Sequence, residues 1–361
     1  MTLAVVAIHC RGDIAGAFDW GHLTAHDTYL LLKASCSQVF NVAVPVFFFI
    51  SGFLFFDGVD RLTRSVCLGK LRRRATSLLV PYILWNLLAI PLMLITMYGE
   101  TLTGTRSLDS LGEFVCNGRW SHLFWDFYRK ETPYPNLLGW HQLTGDPLLF
   151  TFWYVRDLML ITLLTPAIDW YVRKTGWWGF WVAAAVYVLR IWPYTIVSSQ
   201  CLFFVFGAYW SMKRLPLGGL SQSVSYAVYG LTVCLTVLCV WRYHTYWGAQ
   251  IDPAFRLAAC FAVLCIARAV VCRHPRFRFL PLLTESSFFA YALHVVFAIP
   301  LGSFLMKAVF RGADSPVLLS VQFVATICTV YAICVATYAA MQRLFPTLLK
   351  WLCGQRCLHR T

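Results

Sequence analysis

The sequence predicts an all-α, polytopic membrane protein of about ten transmembrane helices, which form one domain over residues 1–361. Hydrophobic residues make up 59% of the chain and charged residues only 13%, whereas a soluble domain is about 45–50% apolar and about 25% charged. Many apolar runs approach the roughly 20 residues that a helix needs to cross a bilayer. The runs are continuous rather than alternating, which disfavours a membrane β-barrel.

Apolar runs and the polar breaks between them place the helices in order. The first run, Leu3–Ile8, is too short to span a membrane, and the polar stretch Arg11–Lys33 predicts an extracytoplasmic loop after it. The second helix ends near Phe56, and we expect Pro81 and Pro91 to break the third, a feature that membrane helices tolerate. The third to tenth helices are predicted at about Ser77–Tyr98, Thr151–Val172, Trp177–Ile196, Cys201–Met212, Ser223–Trp241, Ala254–Val271, Ser286–Phe310 and Val317–Met341.

The distribution of positive charge predicts which loops are cytoplasmic. With the first helix running from inside to outside, the inner loops and the C-terminal tail carry 17 lysine and arginine residues and the outer segments nine, as the positive-inside rule requires. Both termini are then cytoplasmic. The net charge of +14 is explained by these loops, so nucleic acid is not an expected partner.

The longest polar segment is Gly99–Phe150. It mixes charged residues with aromatic ones such as Trp120, Trp125 and Trp140. This composition is too polar for a membrane span and too aromatic for plain disorder. We therefore expect an interfacial or re-entrant lid.

Three consecutive stretches carry a family resemblance. The apolar run Asn41–Phe56, NVAVPVFFFISGFLFF, is followed by the basic cluster Arg72, Arg73 and Arg74, and then by Ser77–Asn86, SLLVPYILWN. Two later motifs agree, FWYVRDL at the start of a mid-chain helix and SSFFAYALH in a late one. In their order and spacing, from Leu3 to about Leu344, these motifs resemble the membrane acyltransferase-3 family.

This resemblance implies a membrane-bound O-acyltransferase of the cytoplasmic membrane. It would acetylate a hydroxyl of a cell-surface carbohydrate or glycolipid, with acyl-CoA, most simply acetyl-CoA, as co-substrate, membrane lipid around it and no tightly bound cofactor. Two other classes stay open: a glycan or lipid transporter, and a non-catalytic membrane protein descended from an acyltransferase. A transporter usually shows internal repeats, and the sequence shows none. The oligomeric state and the acceptor are left open.

Ionisable residues within membrane helices are costly and are therefore functional candidates. They are His9, Arg156, Asp157, Arg190, Arg256, Arg268, Glu285 and His294. His9 is chemically either a general base, since imidazole titrates near neutrality, or a residue that caps a helix end. The resemblance implies the first: His9 matches the family's first-helix histidine and would be the catalytic base.

Arg156 and Asp157 are neighbours at the start of a helix, about 100° apart, so they need not pair. Arg156 could hold an anionic group or an oxyanion and Asp157 could orient an imidazole, or both could simply reach the membrane edge. Tyr291 and His294 share one helix face. They either line the path of the acyl group or glycan or form a buried packing pair. Arg190 and Arg256 need partners, for which Glu285 is a candidate.

Arg72, Arg73 and Arg74 are candidate ligands of the donor, because guanidinium groups bind phosphates in a bidentate manner and coenzyme A carries several phosphates. A basic loop can equally serve to anchor topology and to contact anionic lipid. The family resemblance also implies an arginine about eleven residues before His9, a position that precedes Met1. We expect a complete first helix to include it.

The chain has 14 cysteines, mostly in apolar segments, where they behave as small hydrophobic residues. Cys353, Cys357 and His359 have a weak metal-binding spacing that lacks a fourth ligand. No metal site is predicted.

Overall fold

A computed structural model describes residues 1–12, 14, 16–102, 104, 107–117, 123–124, 130–141, 143–192, 197–273 and 281–355. Its helices are α1 Thr2–Cys10, α2 Ala25–Phe40, α3 Ala43–Phe56, α4 Arg64–Arg74, α5 Val80–Leu102, α6 Leu108–Asn117, α7 Trp153–Leu163, α8 Thr165–Val188, α9 Leu202–Met212, α10 Gln222–Trp241, α11 Tyr246–Arg273, α12 Pro281–Glu285, α13 Ser287–Leu293, α14 Ile299–Val309, α15 Pro316–Leu344 and α16 Pro346–Leu352. Two short strands, β1 Lys130–Glu131 and β2 Leu143–Thr144, pair antiparallel. The predicted all-α class is confirmed.

Six helical stretches are long and apolar enough to cross a membrane, judged by length and composition in the part of the chain that is described. They are Ala25–Phe56, Arg64–Leu102, Gln222–Trp241, Tyr246–Arg273, Ser287–Val309 and Pro316–Leu344. The predicted count of about ten is not confirmed by this measure, since α1, α7 and α9 have only 9, 11 and 11 residues. The six stretches indicate a multi-pass membrane protein.

The helix α2 begins inside the predicted loop Arg11–Lys33. Thr24 caps it: the Thr24 hydroxyl accepts from the Asp27 amide at 3.3 Å, and the Asp27 carboxylate accepts from the Thr24 amide at 2.7 Å. Such a reciprocal capping box satisfies two amides that a helix start otherwise leaves free. The prediction of a loop was therefore wrong for residues 25–33.

We expect Thr24→Ala to destabilise the first turn of α2 by about 0.5–2 kcal/mol, the usual cost of losing a side-chain cap. Hydrogen exchange at the Asp27 amide should accelerate by a corresponding factor. Thr28→Ala is the matched control, because Thr28 is an exposed threonine of the same turn whose hydroxyl donates to a carbonyl rather than capping an amide. Equal exchange rates in the two variants would contradict the capping role.

Proline does not break the third predicted helix. α5 continues through Pro91, and Pro81 lies in its first turn, directly after a π-helical turn at Ala75–Leu79. A proline near a helix start removes an amide that the helix does not need. The predicted break at each proline was wrong, and the irregularity lies before Pro81 instead.

The centre of the fold is the contact between α3 and α9. A Cβ atom built on Gly52 would lie 2.0 Å from the Phe204 carbonyl oxygen, and one built on Gly207 would lie 2.0 Å from the Phe49 carbonyl oxygen. The two backbones therefore approach as closely as glycine permits. α9 is buried along nearly its whole length, so this contact fixes the middle of the bundle.

Charged and polar contacts collect at two ends of the bundle. At one end, Asp60 binds Arg214 at 2.9 Å and its carbonyl accepts from Arg173 at 2.7 Å, which brings together three loops predicted to be cytoplasmic. At the other, Arg11 donates to the Tyr243 hydroxyl at 2.8 Å. We call these the Asp60 end and the Arg11 end.

The described part of the predicted lid packs on the helices of the bundle. Asn136 donates to the Arg190 carbonyl at 2.9 Å, and Tyr134 donates to the His244 carbonyl. The Leu149 amide donates to the Asn86 side chain at 3.1 Å. Residues 118–122 and 125–129, which include Trp120 and Trp125, lie outside the described residues.

Candidate functional site

The structure brings the two candidate histidines together. α1 carries His9, the short helix α13 ends just before His294, and their ring centroids lie 5.3 Å apart. His294 is fully buried, and His9 is half-buried with its ring 5.2 Å from that of Phe150 in an edge-to-face arrangement. Two residues from opposite ends of the sequence therefore share one site.

The hydrogen bonds of His294 fix its tautomer. Its Nδ1 lies 2.7 Å from the Tyr291 carbonyl oxygen and 3.2 Å from that of Ala290. Carbonyl oxygens only accept, so Nδ1 carries the hydrogen and Nε2 presents a lone pair. That Nε2 is buried and has no hydrogen-bond partner among the described residues. His294 also starts a π-helical turn, His294–Ala298, an irregularity that is frequent at functional sites.

Tyr291 joins this histidine pair to a cavity nearer the Asp60 end. Its hydroxyl donates to the Thr151 carbonyl, and its ring lies 6.2 Å from that of His294. On its other side the ring meets Tyr154 edge-to-face at 6.1 Å and Phe288 at 6.2 Å. The aromatic rings thus form a continuous wall from the cavity to the histidines.

The cavity, which we call the arginine pocket, has a volume of about 300 Å³ and is lined by Arg73 and Arg74 together with Ser51, Ser77 and Tyr154 among others. Arg72 is exposed and is not among the lining residues. The last turn of α4 therefore turns two of the three candidate arginines toward one cavity.

Arg156 and Asp157 pair with each other. Arg156 donates to one Asp157 carboxylate oxygen from Nε at 3.0 Å and from Nη2 at 2.8 Å, and both residues are buried. Arg156 also donates to the Gly145 carbonyl, while the Ser198 amide donates to Asp157 at 2.8 Å. The long arginine side chain folds back across the angle between adjacent helix positions. The pair ties the lid segment to α7 and to the start of the turn before α9.

A second cavity opens at the Arg11 end. This outer pocket has a volume of about 450 Å³, and its charged lining consists of Arg11, Arg190, Arg242, Arg256 and Asp252, with His244 beside them. Burial and the nearby charge of Arg11 lower the pKa of His244 below its usual value, so its imidazole is neutral at neutral pH. The four arginines and the single aspartate therefore make the lining strongly positive.

The prediction that Glu285 is a partner of Arg190 or Arg256 was wrong. Arg256 forms an ion pair with Asp252 at 2.7 Å, one turn earlier on α11. Arg190 donates to the Tyr134 carbonyl at 2.9 Å and the Pro135 carbonyl at 3.1 Å. The i,i+4 spacing of Asp252 and Arg256 is a helix signal that is present in the sequence, and it indicates Asp252 rather than Glu285 as the partner of Arg256.

Sequence reasoning also missed the members of the outer pocket that lie in loops, namely Arg11, Arg242, Tyr243 and His244. These residues form no recognisable motif. The one indication of a site in the sequence was that Arg11 follows the candidate His9 by two residues. No group of three or more metal-binding side chains occurs within the described ranges. Cys357 and His359 of the weak metal spacing lie outside those ranges.

A family model described as "Acyltransferase domain" matches residues 1–339. Neither the search of curated proteins nor the search of solved structures returned a match. The matched range contains both histidines and all the lining residues of both cavities.

Proposed function

The chain belongs to the acyltransferase-3 family, and from that premise we propose that it moves an acetyl group from acetyl-CoA in the cytoplasm to a hydroxyl of a carbohydrate outside the membrane. One observation carries the proposal. The histidine pair is linked to both cavities: His9 precedes Arg11 of the outer pocket by two residues, and the His294 ring lies beside Tyr291, which contacts Tyr154 and Phe288 of the arginine pocket. A transferase that joins reactants from two sides of a membrane needs a reaction centre that is linked to both a donor site and an acceptor site.

The charges and the aromatic rings of the arginine pocket support this choice of donor. Arg73 and Arg74 bind the phosphates of coenzyme A at the cytoplasmic mouth, since guanidinium groups suit phosphate oxygens. The apolar wall of Tyr154, Phe288 and Tyr291 then accommodates the chain that ends in the thioester.

The reaction needs a general base, and the imidazolium that this base becomes has to be stabilised. His9 takes the proton of the acceptor hydroxyl as the oxygen attacks the acyl carbon; the new carbon–oxygen bond forms, the carbon–sulfur bond breaks, and the proton returns to the thiolate of coenzyme A. While it is protonated, His9 donates from both ring nitrogens. The lone pair of His294 Nε2 accepts a hydrogen bond from one of these His9 nitrogens. Arg156, held by Asp157, positions the lid segment over this centre.

The donor site is tested by replacing the arginines of α4. The chain is reconstituted in liposomes and supplied with radiolabelled acetyl-CoA on the side of α4 and with cell-envelope glycans on the other side. Removal of charge-assisted hydrogen bonds, worth about 1.5–3 kcal/mol each, should raise the KM for acetyl-CoA at least tenfold in the Arg73→Ala/Arg74→Ala variant. Arg72→Ala is the matched control and should keep the wild-type KM.

Two results would contradict the proposal. An equal rise of KM in the double variant and in Arg72→Ala would show that the loop acts through its overall charge rather than through the pocket. Glycan that crosses the membrane or binds without becoming acetylated, as judged by mass spectrometry, would favour a transporter over an acyltransferase.

A further inference from the structure

The outer pocket contains more positive charge than its own carboxylate can balance. Four arginines face one aspartate, and Asp252 is already shared by Arg256 at 2.7 Å and by the Gln38 amide at 3.0 Å. Among the described contacts, Arg11 donates to the hydroxyls of Ser37 and Tyr243, both at 2.8 Å. The guanidinium groups of Arg11 and Arg190 thus have neutral oxygens as their described partners.

The described hydrogen bonds of Arg11 and Arg190 include no carboxylate, which favours an anion in the pocket. Arg190 is only 8% exposed, and a buried charge is expensive unless an opposite charge compensates it. Two backbone carbonyls, of Tyr134 and Pro135, hold the Arg190 guanidinium in place. A guanidinium fixed in this way binds a carboxylate or phosphate with little further loss of side-chain freedom.

The rest of the lining suits a sugar rather than a bare ion. Thr132, Ser199 and Gln200, whose side chains carry hydroxyl and amide groups, line the cavity together with Tyr187 and Tyr243. The Gln200 carbonyl oxygen is buried and has no hydrogen-bond partner within the described part of the chain. A buried acceptor of this kind is costly to leave unpaired, and a small rotation of the Gln200 side chain toward the cavity would let it accept from a sugar hydroxyl.

We infer that the outer pocket binds an acidic carbohydrate, with Arg11, Arg190 and Arg242 holding its negative group and Gln200 accepting one of its hydroxyls. This inference rests on the proposed function, because it names the class of acceptor for the same reaction. Arg11 follows His9 by two residues, about 3 Å along a helix axis. The outer pocket and the histidine pair therefore both take a residue from the C-terminal end of α1.

The test measures binding and transfer separately. The purified full chain in lipid nanodiscs is titrated with three probes: a hyaluronan tetrasaccharide, the same tetrasaccharide with its carboxyl groups reduced to alcohols, and glucose 6-phosphate. We expect an acidic probe to bind at least tenfold more tightly than the reduced tetrasaccharide. Preference for the tetrasaccharide identifies a carboxylate as the recognised group, and preference for glucose 6-phosphate identifies a phosphate.

Two variants connect the preference to the pocket. Arg190→Gln and Arg242→Gln should each weaken binding of the preferred acidic probe about tenfold and leave acetyl-CoA affinity unchanged. Arg190 holds the lid segment through Tyr134 and Pro135, whereas Arg242 stacks on the Trp241 ring at 4.2 Å. Arg242→Gln therefore keeps the test valid if Arg190→Gln fails to fold. Arg268→Gln, an exposed arginine of the same α11, is the control and should bind like the wild type.

Equal affinity for the acidic and reduced tetrasaccharides, or binding that is unaffected in both pocket variants, would overturn the inference. The proposed function fails differently. If the acidic probe binds through the arginines and is never acetylated from acetyl-CoA, the pocket stands and the transferase assignment falls. If a neutral glycan is acetylated and the acidic probe does not bind, the transferase stands and the acidic acceptor falls.

Discussion

Gly207→Ala should prevent most of the protein from folding. The added methyl group would lie 2.0 Å from the Phe49 carbonyl oxygen and 2.7 Å from the Phe53 amide nitrogen, so the backbone of α3 would have to move. Overpacking a core by one methyl group usually costs about 1–3 kcal/mol, and we expect a cost of at least 3 kcal/mol because the obstacle is backbone. The measurement is the melting temperature and the monodisperse fraction of detergent-solubilised protein.

The contact between α3 and α9 gives a second prediction, for the glycine on α3. Gly52→Ala meets the Phe204 carbonyl oxygen at 2.0 Å and should cost about as much as Gly207→Ala. Gly230→Ala is the control, since Gly230 lies on the exposed face of α10 and none of the described atoms lies within 4 Å of an added Cβ. It should leave stability unchanged or raise it by up to about 1 kcal/mol through helix propensity. A similar melting temperature in all three variants would mean that α3 and α9 do not pack as described.

Replacing His294 with asparagine should lower acetyl transfer by about 10²–10⁴-fold, the range that a positioned proton-transfer group contributes, because protonated His9 then loses the acceptor that stabilises it. The asparagine amide can still donate to the Tyr291 carbonyl in place of Nδ1. The variant loses only the second ring nitrogen, whose lone pair has no other described partner. The fold and the affinity for acetyl-CoA should therefore remain those of the wild type.

The contrast between rate and binding makes this prediction specific. A purely structural role for the buried imidazole would lower the melting temperature together with the activity. A variant that keeps its wild-type melting temperature and its wild-type rate of transfer would remove His294 from the reaction centre.

The helical architecture was predictable because apolar runs and polar breaks report directly on burial and bilayer thickness. The exceptions have local causes. The start of α2 depends on the pairing of Thr24 with Asp27. This capping box consists of polar residues, which a hydropathy pattern assigns to a loop. The position of the irregularity before Pro81 depends on a π-helical turn, which hydropathy does not detect.

The candidate site was predictable only residue by residue. Motifs placed His9 and His294 on separate helices, and the packing of α1 against α13 is what places their rings 5.3 Å apart. The sequence could not distinguish Arg72 from Arg73 and Arg74, since that depends on how α4 is rotated over the pocket. The outer pocket escaped prediction because its lining comes from α2, α11 and several loops that are distant in sequence.

The most direct test of the histidine pair is a double-mutant cycle on the single-turnover rate of acetyl transfer. Wild type, His9→Asn, His294→Asn and the double variant are compared at equal folded amounts, with acetyl-CoA saturating. Groups that act as one unit lose activity non-additively, so the double variant should be no slower than the slower single variant. Losses that multiply would show two independent roles, and a wild-type rate in His9→Asn would contradict the account at its centre.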